Sequence, residues 1–109
     1  MINAPFTPTG NSVTFTAAAT APTPVQALST TLGGNQYRVL NAGSVTVFMG
    51  VGVTSSDSAN NAVVVSSSQK AIPLLAGTDE IFSFPPNAYF TGATSSSTAV
   101  VYITPGDGQ

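Results

Sequence analysis

Residues 37–52 read YRVLNAGSVTVFMGVG. Tyr37 and Val39 alternate with Arg38 and Leu40, which is the period of a β-strand with one buried face. Asn41-Ala42-Gly43 interrupts the pattern with turn-forming residues. Alternation then resumes: Val45, Val47, Met49, Val51 and Val53 share one face, and Ser44, Thr46, Phe48, Gly50 and Gly52 share the other. Two alternating runs joined by a short Asn/Gly segment predict a β-hairpin. Gly50 and Gly52 strip the side chains from one face over two pleats. That predicts a large group packed there, an aromatic ring or another backbone.

The same period runs through most of the chain. In SVTFTA, Val13, Phe15 and Ala17 oppose Ser12, Thr14 and Thr16. Pro22 and Pro24 forbid a helix through the Ala-rich stretch that follows, and Val25–Leu28 fits a short strand. Gly33-Gly34-Asn35 predicts a turn, TSSDSANN a polar loop at residues 54–61, and AVVVSSSQ a further strand at 62–69. Residues 70–92 hold three apolar runs separated by a Gly77-Thr78-Asp79 turn of hairpin type and by Pro85-Pro86. STAVVYITPG supplies a last strand that Pro105-Gly106 should end. No segment predicts a helix. About eight short strands at ten-residue spacing point to an all-β fold, an antiparallel β-sandwich of jelly-roll type. Residues 1–11, rich in Pro and Thr, form an extended N-terminal arm, and residues 12–109 form a single domain.

Composition narrows the function classes. Only 6% of the 109 residues are charged, against about 25% in average soluble proteins. Arg38 and Lys70 are the only cations, too few for the phosphate contacts of a nucleic-acid binder. A hydrophobic fraction of 42% argues against disorder. Apolar runs such as AVVV fall far short of the roughly 20 residues of a membrane-spanning helix, and no secretory signal pattern opens the chain.

The candidate chemical sites are weak. Asp79 and Glu80 are adjacent, so in a strand they point to opposite faces and cannot flank one bond as a glycosidase pair does. Ser67 and Lys70 have serine–lysine spacing but sit at the end of an apolar strand pattern, not on a helix. Without His, no serine has a general base. Asp57, Asn60 and Asn61 offer oxygen ligands for calcium, but one carboxylate makes a thin site. Phe82, Phe84, Tyr89, Phe90 and Tyr102 could line a sugar groove, although their period-two placement suits a sandwich core. These residues predict neither an enzyme nor a bound cofactor or metal.

Residues 37–52 together with AIPLLAGTDEIFSF and VYITPGDGQ resemble a group of small virion proteins of tailed bacteriophages. The resemblance rests on Arg38, Val39, Asn41, Gly43, Val47, Phe48, Gly50 and Gly52, on Pro73, Leu74, Gly77, Glu80 and Phe82, and on Tyr102, Thr104, Pro105, Gly106 and Gly108. It covers about residues 37–108; the N-terminal part lies outside it. It implies a structural virion component, a capsid decoration or cement protein on the capsid surface. Its partners would be the major capsid protein and copies of itself, as dimer or trimer, with no nucleic acid, membrane or cofactor. A tail, fibre or head-fibre module that binds host glycan is the alternative, and a free lectin domain is a third. The contact residues expected for such a role are Pro5, Phe6 and Pro8 on the arm, Asp57, Asn60 and Asn61 on the polar loop, and Pro85 and Pro86 at the proline break.

Overall fold

The computed structural model describes residues 6–28, 36–64 and 70–107. They form β1 (Thr7–Pro8), β2 (Val13–Ala17), β3 (Val25–Gln26), β4 (Gln36–Asn41), β5 (Val47–Gly52), α1 (Ser55–Asn61), β6 (Ile72–Leu74), β7 (Asp79–Ser83), β8 (Tyr89–Ala93) and β9 (Ala99–Asp107). One sheet runs β7-β4-β9, with β2 and β1 end to end along the far edge of β9; the other runs β3-β8-β5-β6. All of the strand pairs are antiparallel. The all-β sandwich expected from the alternation is therefore present.

The pairing has a simple order. β2 pairs with β9, β3 with β8, β4 with β7, and β5 with β6. This is a single antiparallel ribbon, doubled back at β5–β6 and rolled so that successive strands from β2 to β5 fall in alternate sheets. That is jelly-roll topology. It corrects the hairpin expected over residues 37–52. β4 and β5 belong to different sheets, and Asn41-Ala42-Gly43 is a corner between the layers. Gly77-Thr78-Asp79 likewise joins β6 in one sheet to β7 in the other, so it is not a hairpin turn. Alternation cannot distinguish a hairpin from such a corner, because both put the same residues inward.

The corner's cause is the Asn41 side chain, which is fully buried. Its Nδ2 donates to the carbonyls of Val45 and Leu74 at 3.0 Å each and of Leu75 at 3.3 Å, and its Oδ1 accepts from Gly43 N at 3.0 Å. The Asn41 backbone accepts from Gly77 N and donates to Thr78 O. One side chain thus ties the β4–β5 corner to the β6–β7 corner. Gly77, at φ +77°, supplies the left-handed residue that this second corner needs.

Between the sheets lie Phe15, Val39, Val47, Met49, Leu74, Phe90, Val101 and Ile103, all buried. Tyr37 closes one end: its ring meets Phe90 edge-on with centroids 5.0 Å apart, and its hydroxyl donates to Pro85 O at 2.8 Å and accepts from Ala88 N at 3.2 Å. Of the aromatics weighed as a sugar groove, Phe90 is core, and Phe82 and Phe84 pack against it.

Three local expectations fail. Residues 54–61 are not a loop: Thr54 accepts from Asp57 N and caps α1. Of the strand expected at 62–69, Ala62 caps α1 and Val63–Val64 form a bend, so these three positions are not strand; residues 65–69 lie outside the described residues. β9 runs through Pro105 and Gly106. Pro105 O accepts from Thr9 N at 2.9 Å, so the proline's missing N–H faces the break between β1 and β2 rather than the continuous β4 ladder, where it is tolerated. The turn expected at Gly33-Gly34-Asn35 lies outside the described residues.

Candidate functional site

The two sheets present different outer faces. On the β3-β8-β5-β6 sheet, α1 lies across β5. A Cβ at Gly50 would collide with Ser58 O and Ala62 N, and one at Gly52 with Ser58 N and the Asp57 side chain. The two glycines are the seat of a helix backbone, as their spacing suggested. Ser58, fully buried, donates to Gly50 O at 2.8 Å, and Asn61 Nδ2 donates to Val51 O at 3.2 Å. Beside Gly50, the outward-facing Thr91 is fully buried and donates to Pro22 O at 2.7 Å, so the segment after β2 covers that part.

The β7-β4-β9-β2 sheet is bare by comparison. Thr14, Thr16, Arg38, Ile81 and Tyr102 are exposed on its outer face, with Leu40, Val100 and Thr104 half-exposed beside them. Among the described side chains, Arg38 and Asp79 are the ions on this face. Arg38 Nε donates to both Asp79 carboxylate oxygens, at 2.9 and 3.1 Å, and Nη2 donates to Oδ2. These hydrogen bonds hold the Asp79 carboxyl below its ordinary range and raise the Arg38 guanidinium further above neutrality. The described side chains of the face carry no net charge. Glu80, one residue on, falls opposite Val39, on the core-facing side of the free edge strand β7, and stays exposed. A charge so placed discourages a second sheet from pairing with that edge.

At the Gln36 end of this sheet a half-open groove of about 520 Å³ lies between the arm and the strands. Its wall is Phe6, Pro8 and Asn11; Arg38 and Thr104 are neighbours on its floor, and Ile81 closes the far side. The wall is held because Phe6 packs where a Gly106 side chain would lie and Thr7–Pro8 pair with Asp107–Gly106.

The structure does not bring the expected contact residues together. Phe6 and Pro8 border the groove, whereas Asp57, Asn60 and Asn61 ride on α1 over the opposite sheet. Pro85 and Pro86 sit exposed in the β7–β8 connection, and Pro5 lies outside the described residues. The described part of the arm, residues 6–11, folds back on β9 of its own domain. Asn61 Oδ1, one of the three oxygens weighed for calcium, accepts from Lys70 N at 3.2 Å. The groove's Asn11, Arg38, Ile81 and Thr104 were not singled out as contact residues. Only alternation, which puts Arg38 outward between Tyr37 and Val39, hinted at one of them. No protein-family model, curated protein or solved structure matches the chain.

Proposed function

We propose that the chain is a capsid decoration protein of a tailed bacteriophage, docking on the assembled head through the outer face of the β7-β4-β9-β2 sheet. The observation that carries this reading is that face: open, rich in hydroxyls and apolar groups, and neutral because Arg38 and Asp79 cancel. Docking desolvates what it covers, and an unpaired buried charge costs several kcal/mol on the order of a whole interface's margin. A face whose ions are already paired avoids that cost. Glu80 on the free edge favours face-on packing over strand addition. The sequence resemblance supplies the partners, the major capsid protein and neighbouring copies of this chain. Stabilisation then follows from mass action, because whatever binds the assembled shell but not its dissociated subunits shifts the equilibrium toward the shell.

The test is thermal release of DNA from particles that lack the chain. They should lose DNA at a lower temperature than complete particles. Added wild-type protein and an Asn60→Asp variant on the α1 side should restore the loss; a Tyr102→Asp variant on the open face should not. Equal robustness without the chain, or equal rescue by both variants, contradicts the proposal.

A further inference from the structure

We propose that the groove between the arm and the open sheet is a binding site for an uncharged saccharide. The inference does not rest on the capsid reading: Arg38, Ile81 and Thr104 of the groove belong to the open face, so the groove takes a saccharide where that face is not docked. Charge comes first. Among the described residues the charged group that lines the groove is Arg38, and its charge is already met by Asp79, which lies outside the lining and takes two hydrogen bonds from Nε. An anion would have to compete with the Asp79 carboxylate for the guanidinium, and a cation would meet that guanidinium with no acidic group in the lining, so the groove favours ligands without net charge. Hydrogen bonding comes second. The Arg38–Asp79 pair uses Nε and Nη2, and among the described residues Nη1 has no partner. The Asn11 amide is exposed with no bond to a described residue. Ser12 and Thr104 share one hydroxyl–hydroxyl bond at 2.5 Å and keep acceptor capacity. A purely apolar ligand would leave these donors unsatisfied. Shape comes third. Phe6 and Pro8 on one side and Ile81, 52% exposed, on the other offer apolar surface. A pyranose has this combination, with C–H faces for the ring and aliphatic surface and hydroxyl edges for the donors between them.

The experiment is amide chemical-shift mapping by NMR on the full chain with maltohexaose, cellohexaose, mannohexaose and N-acetylchitohexaose, with sodium sulfate as the anionic control. At least one saccharide should shift the amides of Asn11, Ser12, Arg38, Ile81 and Thr104 together. Asn11→Ala and Ile81→Arg, both at exposed positions, should each weaken that binding about tenfold while leaving the thermal midpoint in place. Because Phe6 also packs on Gly106, those two variants rather than Phe6→Ala decide the matter. No shift at the groove with any of the four, shifts centred on α1 or the β7–β8 connection, unchanged affinity in both variants, or displacement of the saccharide by sulfate would each overturn the proposal.

Discussion

The two outer faces of this sandwich are built on opposite plans. Over β5 the sheet gives up its side chains, at Gly50 and Gly52, so that the backbone of α1 can approach. Across β4 and β9 the sheet keeps its side chains, among them Arg38, Leu40, Tyr102 and Thr104, and nothing of the described chain lies over their middle. Covering one face from within and leaving the other neutral and open is how a small domain can present a single docking side. The difference teaches where mutations should register: on the covered face in folding, on the open face in binding.

The largest effect should come from Gly50→Val. The new side chain has no space under Ser58 and Ala62, so α1 must lift, and the domain should lose about 3 kcal/mol or more in denaturant unfolding. An unchanged midpoint would mean that α1 is not seated as described. Ser58→Ala comes next. It leaves the buried Gly50 carbonyl without its hydroxyl donor and should cost about 1–2 kcal/mol by the same measurement. On the open face, Tyr102→Ser should cost less than about 1 kcal/mol, because the ring is 45% exposed and rests on its strand neighbours Thr14 and Leu40. A larger loss would erase the contrast between the faces.

The smallest effect concerns acid. Asp79 has its pKa lowered in the fold by the Arg38 hydrogen bonds, so its contribution is present above the unfolded carboxyl's pKa and fades as pH falls through the lowered folded value. Both partners are solvent-exposed, which keeps the contribution small. Asp79→Asn should remove that part of the acid sensitivity in thermal unfolding followed against pH; an identical pH profile in the variant would contradict the assignment.

How much of this was readable beforehand follows from what side-chain periodicity encodes. Alternation placed Val13, Phe15 and Ala17, then Tyr37 and Val39, then Val101 and Ile103 on the inner faces, and the structure buries all of them except Val13, which packs half-buried against the core. Alternation is silent on which sheet a strand joins. The β4–β5 corner therefore passed for a hairpin, and only the buried Asn41 bonds reveal it. The helix escaped notice because Ser55–Asn61 has no apolar stripe: what it packs against β5 is backbone and the polar side chains of Asp57, Ser58 and Asn61. The glycine gap that receives it was legible, although its occupant was not. The groove was not legible, since it depends on the β4–β7 and β4–β9 registers and on the arm turning back on β9.

If the chain coats an assembled shell through the open β7-β4-β9-β2 face, as proposed, it must be present in many copies per particle. Densitometry of its band against the major capsid protein in purified particles tests that most directly. Hundreds of copies per particle is the result the account predicts; a few to a few dozen copies, or none, would contradict it.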